Sequence, residues 1–175
     1  MAGQRNMASL EALKRLLDNP QRIMETVSRS MAEEAIGLIK DGFRTETDPY
    51  GKKWAKRQRE TRSTSGRKVL SGQTSRLKNG WKIRRADGAE ISISPSVDYA
   101  EPHQNPKPKA DGSGLKRPRR MMVPDEQLGL PPKWERDLNE TANEAFATIF
   151  GGDGRRVAGL RRRLQLDAFV GFKVA

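Results

Sequence analysis

The sequence contains no cysteine, which excludes disulfides, a thiol nucleophile and thiolate metal centres. It has a single histidine, His103, so a histidine-rich metal cluster is excluded as well. Hydrophobic residues make up 34% of the chain and aromatics 6%, with a mean hydropathy of −0.83. A chain so poor in apolar side chains builds a small core and leaves much of its length to loops and arms. No apolar run approaches the roughly 18 residues that a membrane span needs, and there is no secretory h-region. The expectation is a soluble protein made in the cytosol, without a membrane partner. Also missing are a nucleophile with a base beside it, a Gly-rich phosphate loop and a carboxylate pair near His103. The chain therefore reads as non-enzymatic, with no cofactor and no metal, and His103 as a hydrogen-bonding loop residue.

What is present in excess is positive charge: 34 Lys and Arg against 22 Asp and Glu, a net charge of +12, ordinarily a flag for a polyanionic partner. Its distribution is more informative than its sum. Lys52 to Lys68 carries eight basic residues against one acidic, and Arg76 to Arg85 five against none. Leu10 to Asp48 carries six against eight, and Asp125 to Asp153 two against seven. The segments with helical periodicity are acidic and the connections basic. Such a subunit can meet a polyanion or, equally, the acidic face of its own copy.

The 175 residues fit one domain with extensions, single domains clustering near about 100–150 residues. Its organising stretch is a strand pair. Trp81 and Ile83 alternate with Lys82 and Arg84, and Ile91 and Ile93 with Ser92 and Ser94, the period of a half-buried strand. Asp87-Gly88 between them supplies the positive φ of a tight turn, so a hairpin is predicted over Gly80 to Ser94. A short helical turn within Gln73 to Lys78 would aim Leu77 at Trp81. Because a hairpin alone is marginal in water, long apolar elements must cover it.

The flanks supply them. Leu10, Leu13, Leu16 and Leu17 predict a short helix from Ser9 to Asp18. Asn19-Pro20 then reads as N-cap and first helical residue, opening a helix of about 24 residues, roughly 36 Å long, whose stripe runs from Ile23 through Met31, Leu38 and Ile39 to Phe43. Turn chemistry at Asp48-Pro49-Tyr50-Gly51 ends it. Trp54 should leave water, whereas the rest of 52–68 has almost nothing to bury and reads as a mobile basic loop. Beyond the hairpin, Val97 to Ala100 suggests a third strand with Tyr99 packed, 101–117 a Pro-, Lys- and Gly-rich loop, and Arg119 to Val123 a last strand. Pro131-Pro132 opens a second long helix with a stripe from Trp134 to Phe150, stopped by Gly151-Gly152. The fold class is therefore α+β: a small antiparallel sheet against an N-terminal and a C-terminal helix. One domain is assigned to 1–150. Residues 151–175, with Arg155, Arg156, Arg161, Arg162 and Arg163 among Leu and Phe, read as a basic arm that orders on a neighbour.

Phe43 closing a long helix, Asp48-Pro49-Tyr50-Gly51, Trp54, Leu70 with Gly72 and Leu77, the hairpin, Tyr99-Ala100, His103-Gln104 and Arg117-Pro118-Arg119 occur in an order that resembles the phage virion morphogenesis family. Its members are the tail-completion and head-tail joining proteins of tailed bacteriophages. The likeness covers roughly Leu10 to Phe150. The chain departs from the pattern at Asn105, after His103-Gln104, in a longer excursion before Arg117-Pro118-Arg119, and in its arginine-rich tail. The resemblance implies a non-enzymatic ring-forming subunit, six copies by analogy, located in the virion at the tail end or neck and assembled in the bacterial host cytoplasm. Its implied partners are its own copies and the tail-tube, head-completion or connector proteins.

Two functional classes follow. In the first, a structural ring protein, the contacts to subunits or partners fall on Lys52, Lys53, Trp54, Arg57, Arg59, Arg62, Arg117, Arg119, Arg120 and the five arginines of the arm, with Arg117, Arg119 and Arg120 alternatively stabilising the excursion itself. In the second, a non-enzymatic nucleic-acid-binding protein, the Lys52 to Lys68 loop and the arm track phosphates. Against the second stands the scarcity of aromatics near the basic runs, Trp54 excepted, and the lack of a base-reading module. The classes overlap in one respect, since a neck ring encloses a channel that DNA crosses.

Overall fold

The computed structural model describes residues 19–150, apart from 58, 63, 72, 73 and 116, together with the backbone strand Phe172–Val174. The helix expected before Asn19, and the arm at 151–171 with its five arginines, lie outside the described residues.

Helix α1 spans Pro20–Thr45. Asn19 caps it, its side chain accepting from the Arg22 N–H at 3.2 Å, and Pro20 occupies the first turn, where a missing N–H costs nothing. The predicted stripe is the buried one: Ile23, Val27, Met31, Ala35, Leu38, Ile39 and Phe43 all face inward. Glu46 takes a left-handed conformation, φ 57°, and the next N–H, of Thr47, bonds the Gly42 carbonyl at 3.1 Å, closing the helix end.

The hairpin forms as β1, Trp81–Ala86, and β2, Ile91–Pro95, antiparallel, with Ile83 opposite Ile93. A register shift between Ile83 and Arg85 turns both Arg84 and Arg85 to solvent; the strict alternation read from the sequence breaks there because the bulge adds a residue to one strand. At the tip, Asp87 Oδ1 accepts the Ala89 and Glu90 N–H groups, and Gly88 has φ +89°. A Cβ on Gly88 would stand 2.5 Å from that of Met24, so the glycine serves close approach to α1 as well as the turn. Gln21 Nε2 donates to the Asp87 carbonyl at 2.6 Å, tying the tip to the first turn of α1. The short helix α2, Arg76–Asn79, buries Leu77 to 2% exposure in the core that also holds Trp81.

Three expectations are corrected. Val97 to Ala100 is not a strand but leads into a 3-10 turn, Asp98–Ala100, followed by α3, Glu101–Gln104. Local bonds from Ala100 N to Val97 O and Asn105 N to Glu101 O outcompete sheet pairing, and Tyr99 is 47% exposed rather than packed. Arg119 to Val123 pairs with no strand among the described residues and bends at Met122 and Val123; side chains from elsewhere satisfy part of its backbone, as described below. The third strand is instead β3, Phe172–Val174, parallel to β2 in the order β1-β2-β3. The excursion accordingly starts after α3, and carries one bridge of its own, Pro108 to Leu115.

Helix α4, Pro132–Phe150, buries Trp134, Leu138, Ala142 and Phe146, one residue per turn, and lies along α1, which also touches β1 and β2. The fold is α+β: two long helices over a small sheet. Among the described residues no helix is long and apolar enough to cross a membrane.

Candidate functional site

The C-terminal end of α1 feeds a tight turn that anchors the most connected part of the molecule. Asp48 Oδ1 accepts the N–H of Tyr50 at 3.0 Å and of Lys52 at 2.8 Å, and Gly51 takes φ +86°. Thr47 bridges Lys53, which delivers Trp54 into the core at 7% exposure. The Trp54 ring meets Phe43 edge-on, centroids 5.2 Å apart at 79°, and its Nε1–H donates to the Met121 carbonyl at 2.9 Å. Tyr50 reaches the same distant segment: its hydroxyl donates to Gly129 O at 2.7 Å and accepts from Asp125 N at 3.1 Å.

From the other side Gln104, at the end of α3, holds the same segment. Its Oε1 accepts the Met122 N–H at 2.7 Å and its Nε2 donates to the Val123 carbonyl at 3.1 Å, so one amide replaces the missing strand neighbour. Arg119 Nε donates to the Gln104 carbonyl at 3.0 Å while its guanidinium pairs with Asp125. That pairing, with N–H groups donated by Gln127 and Leu128, holds the Asp125 carboxyl below its ordinary range.

Arg120 is only 6% exposed. Its guanidinium donates to the carbonyls of Ala55 at 2.9 Å and Lys56 at 3.1 Å, and no carboxylate pairs with it among the described residues. Arg57, opposite, is likewise held by carbonyls, of Thr64, Arg67 and Lys68. These bonds tie Arg57, near the start of the 52–68 segment, to its far end. Burial and the Arg57 charge both push the Arg120 pKa down. His103 borders the pair: its carbonyl accepts the Arg120 N–H at 2.9 Å, and its Nδ1 is buried without a hydrogen-bond partner among the described residues. Arg57, Arg117 and Arg120 thus bring like charge close to one another and to His103.

Of the residues singled out from sequence, Trp54, Arg57, Arg119 and Arg120 meet here and Arg117 is exposed beside them. Lys53 instead donates to the Thr45 carbonyl at 2.8 Å, while Lys52, Arg59 and Arg62 are exposed side chains. Arg155, Arg156, Arg161, Arg162 and Arg163 lie outside the described residues. Sequence reasoning leaves out Tyr50, Gln104 and Asp125 as site residues. The Asp48-Pro49-Tyr50-Gly51 turn and the His103-Gln104 pair are visible as landmarks, and that both sit at element ends is the available signal. Among the described residues the His103 Nδ1 has no hydrogen-bond partner, and it is its neighbour, Gln104, that bonds the 122–123 backbone. Among the described residues no group of three or more His, Asp or Glu is placed to hold a metal ion.

Burial, then Arg120 and Arg117, hold the His103 pKa below its ordinary 6.5. The unfolded chain therefore binds this proton more tightly than the folded one, and folding stability is lost as pH falls from about 6.5 through the depressed value. His103→Gln should flatten that part of the profile, measured by denaturant melts between pH 7 and about 5. The carboxylates with lowered pKa, Asp87, Asp111, Asp125 and Asp137, titrate below 3.8 and leave this window untouched. An unchanged slope in the variant would remove His103 as its source.

Compared with family models, curated proteins and solved structures, the chain matches none.

Proposed function

We propose that this chain is a structural virion protein of a tailed bacteriophage, self-assembling into a ring at the tail end or neck, where it completes the tail or joins it to the capsid without catalysing a reaction. The observation that carries the reading is convergence. Phe43, the Asp48 to Gly51 turn, Trp54, Gln104 and Arg119 are scattered over 77 positions of sequence, yet they meet around the 119–125 segment through direct contacts. These are the landmarks on which the resemblance to the virion morphogenesis family rests. They behave as one framework that presents basic loops at a fixed place. Segregated charge supports self-assembly: acidic helices and basic connections on one chain complement each other only between copies.

Light scattering and electron microscopy of the purified chain at moderate salt should show closed rings. A phage lacking the protein should accumulate DNA-filled heads and tails as separate particles, because the defect lies in the joint. A strict monomer at all concentrations, together with normal joining in the deletion, would overturn the reading.

Arg57, Arg117 and Arg120, which pair with no carboxylate among the described residues, favour a second reading, contact with nucleic-acid phosphates. If that were the main role, affinity for duplex DNA would fall steeply with salt, by a log-log slope of about 0.9 per phosphate neutralised, and deletion would disturb DNA handling before joining.

A further inference from the structure

We propose that the outer face of the β1–β2 hairpin is a binding surface for the phosphates of duplex DNA, with the Arg84 guanidinium, positioned by Ser94, as its central contact. The inference goes beyond the ring reading and holds for a monomer as for a ring. It uses none of the cations of the second reading above.

The strand register defines the face. Lys82 stands opposite Ser94 and Arg85 opposite Ser92, and residues directly opposite in an antiparallel pair share one side of the sheet. Arg84 reaches the same side, its Nε donating to Ser94 Oγ at 2.6 Å. Trp81, Ile83, Ile91 and Ile93 belong to the core on the other side, where α1 touches both strands. Regular alternation would send Arg85 inward with Ile83; the extra residue of the bulge brings it out beside Arg84. Three cations therefore stand on one face, and all three are exposed.

Their charges are not equivalent. Arg85 is spent on Asp87 at the turn and on Glu90 at 2.9 Å. Those are the carboxylates nearest in sequence, because 61–86 contains no acidic residue, and among the described residues none pairs with Lys82 or Arg84. The bond to Ser94 occupies only the Arg84 Nε. It fixes the guanidinium while both terminal NH2 groups stay without a protein partner among the described residues, the fork that matches two oxygens of a phosphate. Lys82, two positions earlier and roughly 7 Å away along the strand, adds a second and less directional charge.

What the face lacks selects the partner. Over β1 and β2 it carries Lys, Arg and Ser and no aliphatic or aromatic side chain, whereas protein interfaces are anchored by apolar and aromatic groups at their centre. Phosphates are held by Arg, Lys and hydroxyl side chains on polar, positively charged ground. Such contacts carry no sequence information, so binding should be independent of DNA sequence. Long cations also keep an edge strand from pairing with another sheet, and β1 is an edge in the order β1-β2-β3. That role needs charge alone and makes no use of the Ser94 bond.

The test is binding of a random-sequence DNA duplex by the full chain across a salt series, with thermal melts and sedimentation of every variant. Lys82→Gln with Arg84→Gln should weaken binding about tenfold to a hundredfold at about 0.1 M salt and lower the log-log salt slope by about 1.8, two phosphates at about 0.9 each. A control with the same charge loss, Arg22→Gln with Lys40→Gln, both exposed on α1, should lose less than about threefold and keep the slope. Ser94→Ala changes no charge; it releases the Arg84 side chain and should weaken binding about twofold to fivefold, with a melt near that of wild type. No binding by wild type at about 0.1 M salt, equal losses in the two double variants, or an unaffected Ser94→Ala overturns the proposal. So does a Lys82→Gln/Arg84→Gln variant that loses self-association while its DNA affinity is intact, since the face then belongs to a protein partner.

Discussion

Trp54→Ala is expected to destabilise the fold by about 3–5 kcal/mol, the range for truncating a buried aromatic. With total stabilities of about 5–15 kcal/mol for domains generally, that is enough to leave much of the chain unfolded near 37 °C. The side chain is 7% exposed and has two functions that can be separated. Its ring fills the space beside Phe43 in an edge-on contact, and its Nε1–H caps the Met121 carbonyl. Trp54→Phe keeps most of the apolar contact and removes the donor, leaving a partly buried carbonyl unpaired, at a cost of about 1–3 kcal/mol. Urea melts of the two variants should therefore fall in the order wild type, Phe, Ala. If Trp54→Ala melted within about 1 kcal/mol of wild type, the ring would not be part of the core, and the 47–57 segment would follow another path.

What sequence reasoning reaches, and what it misses, divides along the range of the interactions. The ends of α1 are legible because Asn19, Pro20 and the stripe to Phe43 act within one or two turns. The hairpin is legible because Asp87-Gly88 and the Ile91 and Ile93 alternation are local too. The same local logic misleads at Val97 to Ala100, where an apolar-polar alternation suggests a strand while Pro102, suited to a helix start, and the i→i+3 bonds favour a helical turn. At Arg119 to Val123 the strand pairing is replaced by one glutamine side chain and one indole, which no periodicity encodes.

The site is harder still. Arg120 looks like one cation in a basic loop. Its burial follows from carbonyls 64 and 65 positions earlier that become acceptors only after Trp54 is seated. Charge counting finds the right segments and the right sign, and misses that two of these guanidinium groups brace the backbone. A surface-charge reading assigns Arg57 to partners and leaves Arg120 between bracing the excursion and a subunit contact; the structure makes both of them internal struts.

Gln104→Leu should be nearly as damaging as Trp54→Ala, although it removes no apolar volume. The substitution strips an acceptor from the Met122 N–H and a donor from the Val123 carbonyl, and both residues are buried, at 3% and 4% exposure, so water cannot readily take over. Two orphaned backbone groups cost about 1–3 kcal/mol each, giving roughly 2–6 kcal/mol in all, offset slightly by the added hydrophobicity of leucine. Gln104→Glu separates the two groups: it retains the acceptor for Met122 and places a negative charge beside Arg119, but faces the Val123 carbonyl with a second acceptor, so its loss should be smaller. The local signature is in amide exchange. Met122 N–H should exchange much faster in the leucine variant than in wild type, while amides in the middle of α1 keep protection set by global unfolding. Because Trp54, Tyr50 and Arg120 all close on the segment that Gln104 holds, loosening it should also free the 52–68 segment. The amides of Thr64 and Arg67, which donate to the Thr61 and Thr64 carbonyls, should then lose protection together with Met122. Exchange confined to Met122 and Val123 would instead mean that the two loops are braced independently.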